Sequence, residues 1–243
     1  MRNKVVNRIH NAARKNKDIY FLTGDLGYSV LEDFQSELPD QVINAGIAEQ
    51  NMMAMSGGMA AVGLIPIVTT FSVFMLRAIE QARLSIAYAN MNVKIVASHP
   101  GLDTGPDGGS AQCLEDLACF RSIPNMVVIS PCDPIEMRQA TKAILDYVGP
   151  VYMRTGRSDT KKILDSEYKF KIGKGRVLHP GDDVTIVACG VEVSRALEAA
   201  ESLKNEGISA RVVNMSTIKP IDIDLLEKCA IETGAFVTAE DHN

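Results

Sequence analysis

Tryptophan is absent from this chain of 243 residues, and aromatic residues make up only 5% of it. The core must therefore be built mainly from aliphatic side chains. The net charge of −5 gives no general attraction to nucleic acid. The five cysteines include no CxxC pair and are odd in number, so neither a disulfide framework nor a zinc site is expected. Reduced thiols are typical of a cytoplasmic protein, and this is the location that we predict.

Long apolar runs are also missing. The stretch from Gln50 to Leu76 carries no charge, but three glycines and Pro66 interrupt it. A membrane-spanning helix needs about 20 predominantly apolar residues. We therefore predict a buried helix followed by a buried strand in this stretch, and no membrane segment.

Several common catalytic signatures do not occur. There is no GxGxxG, Walker A loop, HExxH or GxSxG, and the four histidines lack the spacing of metal ligands. The sequence gives no support for a dinucleotide fold, a P-loop, a zinc protease or an α/β hydrolase.

Helices and strands alternate regularly along the chain. The strand segments are apolar without polar alternation, which is typical of strands buried on both faces of a parallel sheet. We predict strands at 19–23, 41–44, 65–69, 93–98 and 126–130. The predicted helices cover about 3–16, 29–37, 48–61, 72–89, 112–121 and 133–147. Sheets of this kind bind ligands at the loops that follow the carboxyl ends of the strands.

The chain divides into two predicted domains. The first covers residues 1–157, and a polar, charged linker covers 158–174. A second unit follows over 175–243, with strands at 183–189, 210–214 and 235–238 and helices at 192–206 and 222–233. The predicted fold class is α/β: a mostly parallel sheet flanked by helices, followed by a smaller α/β domain. A free-standing α/β domain usually needs more elements, so we expect the second one to be incomplete.

Two features at predicted strand ends suit a ring-binding site. Glu49 begins an uncharged helix, where an acid would also complement the helix dipole. Next to a low-dielectric wall the neutral carboxyl form is favoured, and it can donate a hydrogen bond to a ring nitrogen. Phe71 and Phe74 follow the next strand and can present a flat platform to a heteroaromatic ring, although a core pair under a helix has the same pattern.

Sequence strings at these positions resemble the pyrimidine-binding domain of transketolases. Order and spacing agree over residues 1 to about 157, through GIAEQNM, TFSVF, HPGLDTGPDG and RSIPNMVVISPCDPIE. The later strings CGVEV, VVNMSTIKPID and TAEDHN are similar to the start of the transketolase C-terminal domain. The match is closest to the small subunit of split transketolases, in which the usual single chain is divided in two.

The resemblance implies thiamine diphosphate as cofactor and transfer of a two-carbon ketol unit from a ketose phosphate to an aldose. Glu49 occupies the position of the family's catalytic glutamate, which contacts N1′ of the aminopyrimidine. Arg77 stands where transketolases often have a tyrosine, and in this it is similar to deoxyxylulose-phosphate synthases. The other positions implied to contact the cofactor or its cavity are Phe71, Phe74, Asp25 and Ile47.

Substrate-binding residues are also implied. Asp107 matches an aspartate that contacts a donor hydroxyl, and Ala111 departs from the pattern because the family usually has a donor-binding histidine there. That departure leaves the identity of the donor open. The positions that match phosphate ligands of the family are Arg2, Ser29, His99 and Arg154. Such donors form charge-assisted hydrogen bonds with a dianion.

A second departure concerns the metal. The GDG…N motif that holds Mg²⁺ and the diphosphate in this family is missing, because the Gly24-Asp25-Leu26 loop lacks the second glycine. We therefore expect no metal site on this chain. A partner subunit is expected to hold Mg²⁺ and the diphosphate, in an α2β2 assembly that acts on sugar phosphates.

Two other functions remain open. A 1-deoxyxylulose-5-phosphate synthase or a 2-oxoacid dehydrogenase β chain would use the same cofactor, and Arg77 favours the former. The other alternative is a degenerate, non-catalytic assembly subunit, which Ala111 favours.

Overall fold

A computed structural model describes residues 2–27, 29–157 and 160–242, with Arg2 described in its backbone only. These residues form two α/β units. The helices are α1 (Arg2–Ala13), α2 (Glu32–Glu37), α3 (Glu49–Ala61), α4 (Ser72–Met75), α5 (Ile79–Gln81), α6 (Asp116–Ser122), α7 (Pro134–Asp146), α8 (Glu192–Asn205) and α9 (Ile223–Thr233). Short 3-10 turns lie at Pro39–Gln41, Leu76–Ala78 and Leu102–Asp107, and a π-helical segment lies at Ala82–Tyr88.

The strands belong to two sheets. They are β1 (Ile19–Thr23), β2 (Val42–Asn44), β3 (Ile65–Phe71), β4 (Lys94–Ser98), β5 (Val127–Ile129), β6 (Val151–Thr155), β7 (Arg176–His179), β8 (Val184–Ala188), β9 (Ala210–Asn214), β10 (Thr217–Lys219) and β11 (Phe236–Ala239). The first sheet has the order β10-β5-β6-β4-β3-β1-β2, and its strands run parallel except β10. The predicted α/β fold with a mostly parallel sheet is confirmed.

Helices cover both faces of the first sheet. On one face Ile9 of α1 and Met137 of α7 pack in a cluster with Phe21 of β1. On the other face Met52 of α3 and Phe120 of α6 belong to a second cluster. Every residue of the central strands β4 and β6 is buried, as expected when helices cover both faces. Across the described parts of the chain, no helix is long and apolar enough to cross a membrane.

Two helices begin later than the sequence predicts. Helix α2 starts at Glu32 rather than 29, because Ser29 has a left-handed φ of 64° that an α-helix cannot include, and its N–H donates to Glu32 Oε1 over 2.6 Å. Helix α6 starts at Asp116 rather than 112, because Gly101 N–H donates to Cys113 O over 2.7 Å in a β-bridge. At both places a hydrogen bond made outside the helix outweighs helix propensity.

The predicted helix over 72–89 is a succession of short helical pieces. Ala78, with φ −114° and ψ 20°, interrupts the regular geometry between Leu76–Ala78 and α5. The π-helical segment at the end lies very close to α3: a Cβ on Gly57 would lie 2.5 Å from Ser85 O. The glycine is therefore required for the close approach of these two elements.

The second sheet has the order β11-β8-β9-β7, with β7 antiparallel to β9 and the other pairs parallel. Strand β10 lies between elements of this second unit in sequence but extends the first sheet, where Thr217 pairs with Ile129. Neither β7 nor β10 was predicted. The strand β10 ties the second unit to the edge of the first sheet.

The polar segment between the two units is packed rather than extended where it is described. The N–H groups of Ile163 and Leu164 both donate to Asp133 Oδ2 over 3.0 Å. The Tyr168 hydroxyl donates to Glu136 Oε1 over 2.6 Å, and Glu136 belongs to α7. Residues 163–168 therefore rest against the start of α7.

Candidate active site

Most of the predicted site residues follow four neighbouring parallel strands. The last residues of β1, β2, β3 and β4 are Thr23, Asn44, Phe71 and Ser98. Because these strands are parallel, their carboxyl ends meet at one edge of the sheet, which we call the carboxyl edge. The predicted site residues that come after these strand ends are Asp25, Ser29, Ile47, Glu49, Phe74, Arg77, His99 and Asp107.

Glu49 is a buried carboxylate at the first position of α3. It is 3% exposed, and the positive end of the helix favours an acid there. Within the described part of the chain no hydrogen bond reaches its carboxylate, and its ion-pair contact is Arg77 Nη1, 3.8 Å from Oε2. A buried carboxyl group with open hydrogen-bonding capacity is suited to a ligand nitrogen.

The Phe71 ring stacks with the rings of both Phe74 and His99. The two phenylalanine rings have centroids 5.3 Å apart and planes inclined by 5°. The His99 ring lies on Phe71 with centroids 3.6 Å apart and an angle of 27°. Both phenylalanine side chains are half-buried. The pair therefore offers a flat apolar surface at the end of β3.

His99 connects these aromatic rings to a charged pair. The residue is buried, has a left-handed φ of 59°, and its Nδ1 lies 2.9 Å from Ser98 Oγ. Its Nε2 lies 3.5 Å from Asp107 Oδ2. Asp107 in turn accepts from Arg157, from Nε over 2.5 Å and from Nη2 over 3.3 Å. A continuous chain of contacts therefore leads from the aromatic rings to Arg157.

Asn44 ties together two of the loops at the carboxyl edge. Its Oδ1 accepts from the N–H groups of Asp25, over 3.0 Å, and Gly46, over 2.9 Å. Its Nδ2 donates to Asp25 Oδ1 over 3.0 Å. Asp25 itself is exposed and has a φ of 59°. The exchange fixes the loop after β1 to the turn that precedes Glu49.

Arg154 forms a buried ion pair. It lies in β6, and its Nε donates to Asp116 Oδ2 over 2.8 Å while Nη2 donates to Oδ1. The Tyr152 hydroxyl donates to the same carboxylate and lies 3.2 Å from Ser72 Oγ. Burial works to lower the pKa of Arg154, but the hydrogen bonds and charge of Asp116 raise it above its usual value. Burial, followed by the charge of Asp116, raises the pKa of Tyr152 well above its usual value, so both donors stay protonated.

Three other positions named by the resemblance, Ile47, Ala111 and Arg2, lie outside the contacts described so far. Ile47 is 75% exposed on the approach to α3, and Ala111 is buried. The side chain of Arg2 lies outside the described residues.

Among the described residues, no group of three or more His, Cys, Asp or Glu side chains is arranged to hold a metal ion.

The side chains at the carboxyl edge fit an aminopyrimidine ring. Phe71 and Phe74 supply a flat apolar face, and Glu49 supplies a buried carboxyl group whose hydrogen-bonding capacity is not used within the described chain. Ligand sites commonly combine apolar walls with a few fixed polar groups in this way.

Three residues that contact predicted site residues were not assigned to the site by sequence reasoning. They are Asn44, Asp116 and Arg157. Asp116 is 38 residues from Arg154 along the chain, so no local pattern links them. Arg157 could have been found, because it is a second arginine directly after the end of β6.

The fold and the site define an α/β domain of the kind that binds a thiamine-type pyrimidine ring. Residues 1–162 match the transketolase pyrimidine binding domain, and residues 173–243 match the transketolase C-terminal domain. The chain belongs to the transketolase family, a family whose members depend on thiamine diphosphate.

Several prokaryotic proteins are similar to this chain. A putative transketolase C-terminal section of Methanocaldococcus jannaschii is 45% identical over 95% of this chain and 73% of that protein. A 6-deoxy-6-sulfo-D-fructose transketolase subunit of a Clostridium species is 40% identical over 99% of this chain and 76% of that protein. An apulose-4-phosphate transketolase subunit from Phocaeicola vulgatus is 39% identical over 95% of this chain and 75% of that protein.

A solved structure extends the same likeness to three dimensions. A split-gene transketolase, described as an inactive β4 tetramer, superimposes with a TM-score of 0.91 at 44% identity and covers 99% of this chain and 79% of that one. The relationship to the pyrimidine-domain subunit of split transketolases, inferred from the motifs, is confirmed.

Proposed function

We propose that this chain is the small subunit of a split transketolase that transfers a two-carbon ketol unit from an anionic ketose to an aldose acceptor. The observation that carries this proposal is the buried carboxyl group of Glu49 at the start of α3, at the same sheet edge as the stacked Phe71 and Phe74 rings. When bound, thiamine diphosphate supplies the electron sink for cleavage of a carbon–carbon bond.

Glu49 and the aromatic pair have complementary roles in this proposal. The Glu49 carboxyl group holds a proton at the N1′ atom of the aminopyrimidine ring. Phe71 and Phe74 stack on the ring face and exclude water from it, which strengthens the hydrogen bond to Glu49. Asp25 and Ile47 are proposed to lie next to the bound cofactor, and Asn44 fixes the loop of Asp25 in place.

The donor sugar contacts a second group of side chains. His99 lies on the Phe71 ring and next to Asp107, so both can contact donor hydroxyls close to the reacting end. Ser29 and Arg2 are proposed to bind the donor's charged end, as the resemblance implies. Ala111 removes one polar contact that the resemblance implies, so the donor need not be an ordinary pentose or hexose phosphate.

The diphosphate and Mg²⁺ are proposed to be bound by a partner subunit, with the cofactor between the two chains in an α2β2 assembly. The missing GDG…N motif supports this division. The similar split-gene transketolase is an assembly of β subunits described as inactive, which also supports it. The described cysteines are unpaired thiols, in keeping with a cytoplasmic location.

Calorimetry tests the division of the site. Thiamine diphosphate with Mg²⁺ is titrated into this chain alone, into the partner alone, and into the mixture. We expect tight binding only for the mixture, together with ketol transfer. Equally tight binding to this chain alone contradicts the division, and a cofactor-loaded mixture without ketol transfer contradicts the proposed reaction.

A further inference from the structure

Asp241 connects the second unit to the loop that carries Asp107. It lies two residues after the end of β11 and is 9% exposed. Its Oδ1 accepts from the Leu102 N–H over 3.1 Å, and its Oδ2 accepts from the Asp103 N–H over 3.2 Å. These two N–H groups open the 3-10 turn Leu102–Asp107. A carboxylate that follows the second sheet therefore caps a turn at the carboxyl edge of the first.

Gly101 makes room for this contact. It directly precedes the turn, has a left-handed φ of 64°, and has no side chain that could cap the turn itself. A Cβ there would lie 2.1 Å from Asp241 O and 2.2 Å from Asp241 Oδ2, so any side chain would displace Asp241. The Gly101 N–H also donates to Cys113 O over 2.7 Å. This bond closes the base of residues 101–113, which we call the donor loop.

Other contacts join the two units. The Gly190 N–H, after β8, donates to Ser130 O over 3.1 Å, and a Cβ on Gly190 would lie 2.7 Å from Ser130 Oγ. Strand β10 pairs with β5 through Thr217 and Ile129. Neither contact involves the Asp241 carboxylate. Both hydrogen bonds described for that carboxylate go instead to the donor loop.

The donor loop carries Asp107 at the end of its 3-10 turn. Asp107 Oδ2 lies 3.5 Å from His99 Nε2 and accepts from Arg157 Nε over 2.5 Å. Gly105 precedes Asp107 with a φ of 58°, and Gly108 follows it with a φ of 80°. Because glycine restrains the backbone little, the position of Asp107 depends on how the start of the turn is fixed.

We propose that Asp241 is a positioning residue for the donor sugar. By capping the turn it fixes the place of Asp107, and the second unit thereby takes part in recognition of a donor hydroxyl. This inference rests on the proposed function, in which Asp107 contacts the donor. It gives the C-terminal domain a role at a site whose proposed residues on this chain all belong to the first unit.

The test uses D241N in the complex reconstituted with the partner subunit. The amide has the same size, but one of its two groups is an NH2 that cannot accept from the backbone, so the turn loses part of its cap. The donors are fructose 6-phosphate and 6-deoxy-6-sulfofructose. We expect kcat/KM for the preferred donor to fall about 10- to 100-fold, the scale of a misplacement of about 1 Å, and the Kd of thiamine diphosphate to change by less than about threefold. A loss in kcat/KM below about threefold would overturn the inference.

Asp222 provides a matched control within the second unit. It is 5% exposed, and its carboxylate accepts from the Gly175 N–H over 3.1 Å and from the Leu225 N–H over 3.4 Å. Lys174 also donates to it, and none of these partners lies in the donor loop. D222N should lower the free energy of unfolding and leave kcat/KM of the folded complex within about twofold of wild type. Equal losses in kcat/KM for D222N and D241N would show a general effect of stability and overturn the inference.

A double-mutant cycle shows whether Asp241 acts through Asp107. If it does, D241N should change kcat/KM by less than about threefold when Asp107 has already been replaced by Asn. Losses that simply add would contradict a shared route.

Hydrogen exchange separates this inference from the proposed reaction, because it needs no turnover. Exchange of the amides in residues 101–107, measured by mass spectrometry on the same complexes, should become faster by about fivefold or more in D241N, the effect expected from loss of a cap, and stay at the wild-type rate in D222N. Unchanged exchange in D241N would overturn the inference. No ketol transfer by the wild-type complex would instead refute the proposed function, and the exchange rates would still decide whether Asp241 holds the donor loop.

Discussion

Arg77 Nη1 lies 3.8 Å from Glu49 Oε2, yet the Arg77 side chain is 64% exposed and that of Glu49 only 3% exposed. A contact of this length with a solvated arginine contributes at most about 1 kcal/mol. Among the residues that the structure describes, Glu49 therefore has no strong partner for its buried carboxyl group. Such a group is unfavourable for stability alone, and this makes a ligand role the better explanation of its burial.

Replacing Glu49 by Gln tests that role directly. The amide has the same shape but cannot exchange a proton with the ring nitrogen, so kcat of the reconstituted complex should fall by about 10²- to 10⁴-fold. The melting temperature should change little. Turnover and thermal unfolding are measured on the same preparation, with Glu80→Gln on the exposed side of α5 as a control that keeps full activity. An unchanged rate for E49Q would favour a non-catalytic assembly role.

Replacing Arg77 by Gln should have a far smaller effect. The arginine is exposed and its contact with Glu49 is long, so we expect the Kd of thiamine diphosphate in the complex to change by less than about fivefold. Calorimetry on the R77Q complex checks this. A loss of cofactor affinity far larger than fivefold would mean that Arg77 itself binds the cofactor.

Features with a local cause could be predicted from the sequence. The apolar strands and the loops after their carboxyl ends place Glu49, Phe71 and His99 at one sheet edge, because each strand pairs with its parallel neighbour. The start of α2 also has a local cause, the bond from the Ser29 N–H to the Glu32 carboxylate, but it was missed because a left-handed φ is unusual for serine.

Features that depend on distant partners were also missed. Strand β10 has three residues and pairs outside its own unit, so it leaves no periodic pattern in the sequence. The role of Arg154 depends on Asp116 in another element. Sequence motifs give the position of a side chain on the sheet, but the neighbour that neutralises its charge is decided by tertiary packing.

Replacing Asp116 by Asn should destabilise the fold strongly. The substitution leaves the buried Arg154 charge uncompensated, and removal of one partner of a buried pair lowers the free energy of unfolding by about 3–5 kcal/mol. Urea unfolding measures this loss in the free energy of unfolding. Glu37→Gln, which breaks the exposed pair with Arg14, should lower the free energy of unfolding far less. Similar losses in the two variants would show that the buried pair has no special weight.

Lys94 should make stability depend on pH. The residue is buried at the start of β4, its Nζ donates to Asn92 Oδ1, Tyr147 O and Gly149 O, and burial lowers its pKa from 10.5 to about 7. Between these two values the unfolded chain binds more protons than the folded one, so the free energy of unfolding rises with pH, by up to about 1.4 kcal/mol per pH unit.

The Lys94→Met variant isolates this contribution. Urea unfolding of both proteins at pH 7, 8 and 9 should show the wild type gaining stability relative to K94M as the pH increases. Below pH 7 the difference between them should level off, since Lys94 is then protonated in both states. Parallel stability curves between pH 7 and 9 would rule out a titrating lysine at this position.

Two adjacent glycines of α3 should respond in opposite directions to alanine. A Cβ on Gly57 would lie 2.5 Å from Ser85 O, so G57A must push α3 away from the π-helical segment and lower the free energy of unfolding by about 1–3 kcal/mol. Gly58 has nothing within 4 Å of its Cβ position, so G58A should raise it by about 1 kcal/mol through helix propensity. Because α3 begins with Glu49, its displacement in G57A should also weaken cofactor binding in the complex, whereas G58A should bind normally. Urea unfolding and calorimetry on the pair measure both effects, and stabilisation by G57A would contradict the close approach of the two elements.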